Sequence, residues 1–407
     1  MLFVPPVSGT PQPNPPDPTR PAPSRLESVD LLRGLVMVLM AVDHTRGFFT
    51  NYHSDPLDLA KTTPALFVTR WMTHLCAPVF FFLAGTGAFL WQSRGRSKRE
   101  LSHFLITRGL WLVLLDVTFT SWFGWKFNFS AHQLYTVVLW AAGWNMVALA
   151  GLIWLPIGAM ASLGVAMIAL HDTLDRITPE SLGPWQGWWR ILHAPGNIDV
   201  FPGLQMEVIY PLIPWIGVGA LGYCFGKVLI REAAERRRWT ALLGFAVVAL
   251  FLSVRGINHY GDPVPWSEQK SGLFTVFSFV KCVKYPPSLC FLLMTLGPAL
   301  LLLAAFDRKV PALLRPLLVF GRAPLFYYLL HLPLIHTLAI VVNLLRLGRA
   351  NWLYGPQPEG VPPPPESGFG LPGVYFFALI VLAILYPACQ WFAGYKRRSN
   401  AAWLDYI

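Results

Sequence analysis

The chain contains 407 residues, of which 54% are hydrophobic and 13% are charged, and its formal net charge is +11. Soluble domains carry about 25% charged residues, so this composition excludes an ordinary water-soluble protein of this size. The basic residues lie in short clusters between apolar runs rather than along one polar face. That distribution argues against nucleic-acid binding and agrees with the positive-inside rule of membrane proteins.

In chain order, the sequence predicts a proline-rich tail, a membrane domain and a short C-terminal tail. Residues 1–27 predict a disordered cytoplasmic tail, residues 28–395 one transmembrane domain, and residues 396–407 a second cytoplasmic tail. The predicted fold class is an all-α, polytopic helical bundle, because apolar runs of roughly 17 to 25 residues can each cross about 30 Å of hydrocarbon. The ten predicted spans are residues 29–49, 67–90, 104–122, 134–153, 155–170, 208–230, 239–254, 286–305, 318–344 and 374–392. Spans four and five share one stretch broken at Pro156, so nine or eleven spans are alternatives.

The distribution of basic residues predicts the orientation of the bundle. Alternation of the spans places most of the 32 Lys and Arg residues on the side of the N terminus, although the loops on that side are the short ones. This bias predicts cytoplasmic N and C termini. The opposite face carries the long connections, which are rich in Trp, Pro, His and acidic residues, and such long loops are often functional.

Motifs of several common enzyme classes are absent from the sequence. There is no Walker P-loop, no dinucleotide fingerprint, no HExxH and no GxSxG, so ATP-driven transport, redox chemistry, zinc proteolysis and esterase chemistry lack support. The five cysteines are scattered, without a CxxC pair, and predict neither a disulfide framework nor a metal site. Any catalysis must therefore use polar groups inside the membrane domain.

Span one carries the densest set of ionisable residues: Asp30, Arg33, Asp43, His44 and Arg46. A charged group at the bilayer centre costs about 2.5 to 3.5 kcal/mol on insertion scales, so each must face protein or water. Arg33 and His44 lie about 20° apart around the helix and about 16 Å apart along it. The adjacent Asp43 and His44 offer an acid–base group near neutral pH. In the competing interpretation, Arg33 reaches the headgroups, and Asp43, His44 and Arg46 only end the helix at the outer interface.

Two further spans carry polar groups at comparable depth. Arg70 and His74 in span two lie four residues apart and therefore on one face, and span nine carries His331 and His336. The positions of His44, His74 and His336 in the outer halves of three spans predict a shared polar site. The alternative is that each of these histidines is a structural hydrogen-bonding residue.

Four segments carry a resemblance to a known family. They are RLESVDLLRGLVMVLMAVDHTRG in span one, TRWMTHLCAPVFFFLAGTG in span two, YPPSLCFLLMTLGPALLLL in span eight and FGRAPLFYYLLHLPLIH in span nine. Together they resemble bacterial proteins with the heparan-alpha-glucosaminide N-acetyltransferase catalytic domain, from about residue 25 to about residue 395. The resemblance implies an integral protein of the bacterial inner membrane that transfers acetyl from cytosolic acetyl-CoA to a sugar amine or hydroxyl on the opposite side.

The resemblance also implies roles for particular residues. In the lysosomal relatives an Asn near the outer end of span one and a His in the first external loop are tied to catalysis. Here Asp43 takes the Asn position, His44 follows it, and the nearest loop histidine, His53, is about one residue out of register. The predicted catalytic residues are Asp43, His44 and His53, and the base remains open between the two histidines.

The remaining assignments concern the two substrates. Residues predicted to donate to the oxyanion or to contact the acceptor are Arg46, Arg70, His74, His331 and His336. Arg33, Arg322 and Arg108 are predicted to hold the phosphates of CoA, because Arg pairs well with phosphate oxygens. Acetyl-CoA is expected as co-substrate and no metal is expected. The expected partners are the lipid bilayer and a carbohydrate acceptor, without nucleic acid, and homodimerisation is left open.

Two other classes of function compete with an acyltransferase. A proton-coupled secondary transporter or flippase would use Asp43, His44 and His331 as a proton relay, but the inverted repeats common in transporters are not detectable. A non-catalytic scaffold would bind a partner or glycan through the Trp-rich segment 183–190, although membrane-proximal aromatic residues are commonly interface anchors.

Overall fold

The computed structural model describes residues 26–125, 127, 132–355, 363–399 and 401–406, and helices dominate this part of the chain. The helices are α1 Glu27–Phe49, α2 Pro64–Met72, α3 Cys76–Gln92, α4 Lys98–Leu115, α5 Ser121–Phe123, α6 Val138–Leu152, α7 Ile157–Ala169, α8 Gln186–Leu192, α9 Leu212–Leu229, α10 Ala233–Ile257, α11 Gly272–Val280, α12 Leu289–Phe306, α13 Arg315–Arg322, α14 Pro324–Leu347 and α15 Leu371–Arg398. Nearly all of the predicted N-terminal tail lies outside the described residues.

Seven helical segments among the described residues have the length and apolar composition needed to cross a membrane. They are Pro64–Gln92, Lys98–Phe123, Leu212–Leu229, Ala233–Ile257, Leu289–Phe306, Pro324–Leu347 and Leu371–Arg398. The protein is therefore an integral membrane protein of the all-α, polytopic class, as predicted. The count of ten spans stays a prediction, because α6 and α7 are shorter apolar helices and α1, with 23 residues, carries the charged residues of span one.

Proline and serine residues explain several helix boundaries. Pro156 separates α6 from α7, and Pro324 begins α14 directly after α13 ends, because proline lacks the N–H that an interior helical position requires. Ser288 caps α12 by accepting a hydrogen bond from the Phe291 amide at 3.0 Å. The preceding residues, Pro286 and Pro287, therefore lie outside the helix, in a segment that approaches the cavity described below.

A small sheet combines two strands from the long connection before predicted span six with one strand at the start of predicted span four. Its strands are β1 Gln133–Thr136, β2 Gly196–Phe201 and β3 Leu204–Val208, in the order β1-β3-β2. Strand β3 pairs in parallel with β1 and antiparallel with β2. The parallel pairing brings the start of α6 next to the segment that leads into α9.

Helix α1 lies inside the bundle and packs against α3, α12, α13, α14 and α15. Residue Gly321 of α13 lies directly against the backbone of Asp30, where a Cβ atom would overlap the Asp30 carbonyl. This close approach places Arg33 of α1 and Arg322 of α13 at the same end of the bundle. The side chains of Asp30, Arg33, Asp43 and Arg46 in α1 are at most 19% exposed, so most of their surface contacts protein.

Candidate active site

A cavity of about 330 Å³ lies at the C-terminal end of α1. Its lining comes from α1, α2, α3, α6, α14 and four connecting segments: Met40, Asp43, His44, Arg46, Gly47, Arg70, Thr73, Cys76, Ala77, Phe80, Trp125, Val137, Val138, Ile209, Tyr210, Lys284, Tyr285 and Tyr328. A larger groove of about 520 Å³ lies between α4 and the C-terminal segment, but its lining contains no carboxylate or imidazole. The smaller cavity is therefore the candidate active site.

His44 forms a hydrogen-bonded pair with His331 of α14. The Nδ1 atom of His44 lies 2.7 Å from Nε2 of His331, and Nδ1 of His331 lies 2.6 Å from the carbonyl oxygen of Tyr328. Because a carbonyl oxygen can only accept, we assign the proton of neutral His331 to Nδ1. Its Nε2 must then accept from Nδ1 of His44, which leaves Nε2 of neutral His44 with a free lone pair.

The two imidazoles of this pair differ in exposure. His331 is fully buried, whereas His44 lines the cavity. The His44 ring also packs edge-on against Trp125, with the ring centroids 5.0 Å apart. The pair therefore combines an imidazole that lines the cavity with a buried supporting partner, an arrangement suited to a general base.

Asp43 is held between two arginines rather than paired with His44. Its Oδ2 accepts from Arg70 at 2.6 Å and its Oδ1 accepts from Arg46 at 3.1 Å. Arg70 donates further to Thr73 at 3.2 Å. With both oxygens engaged by guanidinium groups, Asp43 serves to fix Arg46 and Arg70 at the cavity wall.

Three further residues of the cavity lining could not be predicted from the sequence. Lys284 and Tyr285 come from the segment before α12, and Tyr210 comes from the segment after β3. The Tyr285 hydroxyl donates to the Tyr210 hydroxyl at 3.3 Å. The only local signal was the run KYPPS before an apolar helix, whose prolines indicate a helix start and give no information about the direction of the preceding side chains.

Three histidines named in the sequence analysis do not line this cavity. His53 is an exposed residue of the segment after α1. His74 is buried and its ring centroid lies 5.2 Å from that of Phe291. His336 contacts the carbonyl oxygens of Gly124 and Leu353, at 3.0 and 2.6 Å, so both of its ring nitrogens have backbone partners. The structure pairs His44 with His331 instead of with His74 or His336.

The residues predicted to bind CoA lie near the N-terminal end of α1 and on α4. Arg33 donates to the Gly321 carbonyl at 3.1 Å and lies 3.4 Å from Asp30. Arg322 contacts Glu27 at 3.1 Å and Asp30 at 3.7 Å. Arg33 and Arg322 thus share one carboxylate. Arg108 lies on α4, with its guanidinium carbon 5.8 Å from the centroid of the Phe104 ring.

The fold and the cavity define an integral membrane protein with a polar cavity at one end of α1. Residues 25–258 match the family described as heparan-alpha-glucosaminide N-acetyltransferase, catalytic, and the chain belongs to this family of transmembrane acetyltransferases. The predicted resemblance is thereby confirmed, and the match favours an acetyltransferase over a transporter. No curated protein matched the chain.

The residues of the cavity lie partly inside and partly outside the segment that matches the family. Asp43, His44, Arg70 and Tyr210 lie inside residues 25–258, whereas Lys284 lies outside them. His331, Tyr285 and Tyr328 also belong to the unmatched part of the chain. Among the described residues, no group of three or more His, Cys, Asp or Glu side chains is arranged to hold a metal ion, and the expectation that no metal is needed stays a prediction.

Proposed function

We propose that this protein transfers an acetyl or other short acyl group from acyl-CoA on the cytoplasmic side to an amine or hydroxyl of a sugar on the other side of the bacterial inner membrane. The observation that carries the proposal is the His44–His331 pair at the cavity. The proposal includes cytoplasmic termini, contact with the lipid bilayer, and function as a single chain or as a homodimer.

In the proposed reaction, Nε2 of His44 is the general base. It takes the proton from the acceptor amine or hydroxyl while the acceptor nitrogen or oxygen forms a bond to the carbonyl carbon of the thioester. Negative charge develops on the carbonyl oxygen and returns as the carbon–sulfur bond breaks. His44 then gives its proton to the departing thiolate, which yields free CoA and restores neutral imidazole.

His331 supports this proton transfer without contacting the substrates. When His44 is protonated, its Nδ1–H still donates to Nε2 of His331, and the Tyr328 carbonyl keeps His331 in the accepting tautomer. Such a partner orients the base and stabilises its cationic form. Arg46 and Arg70, fixed by Asp43, are the proposed oxyanion donors predicted from the sequence. The buried Nε of Arg46 has no hydrogen-bond partner in the described part of the chain.

The proposed binding site for the CoA phosphates lies at the opposite end of α1, at Arg33 and Arg322. These arginines can bind a phosphate only if it replaces a carboxylate that now pairs with them. Arg33 and Arg322 are matched by Asp30 and Glu27, so a phosphate must replace one carboxylate. The Arg322–Glu27 pair is accessible for this exchange, because its side chains are 31% and 51% exposed, and such exposed pairs are weak. We therefore place the CoA phosphates first at Arg322, then at Arg33, with Arg108 as a further candidate.

The test uses the full-length protein purified in detergent or reconstituted in nanodiscs. Acetyl-CoA is supplied with a panel of amino sugars and alkyl glycosides, and free thiol and acetylated product are measured together. Wild-type protein should form both in equal amounts, and His44→Gln should form neither above background. A wild-type protein that releases no thiol with any acceptor, although it binds acetyl-CoA, would overturn the proposal. Proteoliposomes with donor and acceptor on opposite sides then test the sidedness.

A further inference from the structure

The cavity contains more positive than negative charge. Its lining includes Arg46, Arg70 and Lys284, against the single carboxylate of Asp43. Asp43 is already engaged by both arginines. No carboxylate in the described part of the chain lies within ion-pair distance of Lys284, whose ammonium instead lies 5.0 Å from the centroid of the Tyr285 ring. Among the described residues, Lys284 is thus a cation of the cavity without a carboxylate at ion-pair distance.

The segment that carries Lys284 is fixed by Asp262. One carboxylate oxygen of Asp262 accepts from the Val283 amide at 2.9 Å and from the Ser288 hydroxyl at 2.6 Å, so it holds both ends of the segment. Within the segment, a backbone bridge joins Lys284 to Pro287. The backbone position of Lys284 is thus set before any substrate binds.

Asp262 is in turn supported by Arg255 near the end of α10. The two side chains are almost completely buried and lie 3.6 Å apart. Arg255 also donates to the carbonyl oxygens of Phe279 and Lys281, at 2.9 and 2.8 Å. This network ties the connection between α10 and α12 to the bundle. A donor on so constrained a segment needs little reorganisation when charge develops near it, which is the condition for effective electrostatic catalysis.

We infer that Lys284 is a catalytic residue of the transfer reaction, with its ammonium donating to the carbonyl oxygen of the acyl thioester as negative charge develops there. The inference rests on the proposed function. In this role Lys284 donates a hydrogen bond and transfers no proton, so the proton balance between acceptor, His44 and thiolate is unchanged. A protonated ammonium has no lone pair and cannot be the base, and Arg46 and Arg70 already share their charge with Asp43. Since Lys284 lies outside residues 25–258, this role comes from the unmatched part of the chain.

The experiment compares Lys284→Met, Lys284→Arg and the control Lys281→Met in the full-length protein. Lys281 belongs to the same connection, but its side chain does not line the cavity.

Each variant is assayed with a neutral amino sugar and with the same sugar bearing a carboxylate or phosphate. Loss of one oxyanion donor lowers kcat by about a hundredfold or more. We expect that loss for Lys284→Met with both acceptors at little changed acceptor KM, partial activity for Lys284→Arg, and wild-type activity for Lys281→Met.

Each other outcome overturns the inference in a distinct way. A loss confined to the anionic acceptor would assign Lys284 to acceptor binding, and a kcat unchanged by Lys284→Met would remove it from the chemistry. An equal loss in Lys281→Met would show a general effect of changing this connection. If the wild-type protein itself transfers nothing, the proposed function fails together with this inference. If the wild type is active and only the Lys284 variants contradict the expectation, the proposed function stands.

Size-exclusion profiles and melting temperatures identify misfolded variants. If Lys284→Met misfolds, Lys284→Arg supplies the test.

Discussion

Nδ1 of His44 and Nε2 of His331 lie 2.7 Å apart although 287 residues separate them in the sequence. The contact joins α1, which lies inside the family match, to α14, which lies beyond it. Because the Tyr328 carbonyl fixes the tautomer of His331, the contact also determines which nitrogen of His44 is basic. The catalytic potential of His44 therefore depends on packing between the two parts of the chain.

The first prediction separates the two candidate bases. His44→Gln removes the imidazole from the cavity and should lower kcat by about 10²- to 10⁴-fold, the usual contribution of a general base. His53→Gln changes an exposed side chain outside the cavity and should leave kcat within about twofold of wild type. Initial rates of CoA release at saturating acetyl-CoA measure both. The reverse ranking would move the base to the first external connection.

The second prediction concerns His331 as a positioning residue. His331→Leu removes the acceptor of the His44 Nδ1–H bond and should lower kcat by tenfold or more, on the order of the effect of an orienting partner. The KM values of both substrates should change little, because His331 is buried and does not line the cavity. His331→Gln retains an acceptor oxygen and should recover part of the loss. Equal kcat values in the two variants would contradict the positioning role.

Much of the fold and part of the site could be predicted from the sequence. Apolar length predicts membrane helices well, since every backbone group in lipid must be satisfied within its own segment. The cost of charge in lipid likewise singled out His44, Arg70 and His331. The sequence could not show that Asp43 pairs with Arg70 rather than with His44, because helix spacing relates residues only within one helix. Contacts between helices depend on the packing of the whole bundle.

The connections between helices were harder to predict. The run KYPPS gave no sign that Lys284 enters the cavity, because that position depends on Asp262 and Arg255 in distant segments. The single predicted span 318–344 is two helices, α13 and α14, which separate at Ala323 before Pro324. Pro324 favours such a break, because proline cannot donate the hydrogen bond that an interior helical position requires. The close approach of Gly321 to Asp30 is a tertiary contact that no local pattern indicates.

The third prediction tests the role of Asp43 in stability. Asp43→Asn leaves Arg46 and Arg70, whose side chains are 14% and 17% exposed, without their anionic partner. Losing hydrogen bonds to a largely buried charge costs about 2 kcal/mol, so the melting temperature in detergent should fall by several degrees. Asp58→Asn is the control, because the Asp58–Lys61 pair is exposed and should contribute little. Equal melting temperatures for the two variants would show that the Asp43 pairs contribute no more than a surface pair.

The fourth prediction tests the donor site. Arg322→Gln should raise the KM for acetyl-CoA while leaving the acceptor KM unchanged, because the cation lies at the opposite end of α1 from His44. Glu27→Gln should lower the KM for acetyl-CoA, since it removes the carboxylate that competes with phosphate for Arg322. Arg349→Gln breaks another exposed ion pair, with Glu366, and serves as the control. Opposite shifts in the first two variants would support a phosphate site at Arg322, and parallel shifts would instead indicate a structural effect at the contact between α1 and α13.

The last prediction links Asp262 to Lys284 through a double-mutant cycle. Asp262→Ala removes the acceptor that holds Val283 and Ser288, so Lys284 should lose its fixed position and kcat should fall. Residues that act through one another give non-additive effects. The variant that combines Asp262→Ala with Lys284→Met should therefore have nearly the same kcat as Lys284→Met alone. Multiplicative losses would mean that Asp262 affects catalysis by a route other than the lysine. Melting temperatures should fall in both variants that carry Asp262→Ala, since the buried Arg255 also loses its carboxylate partner.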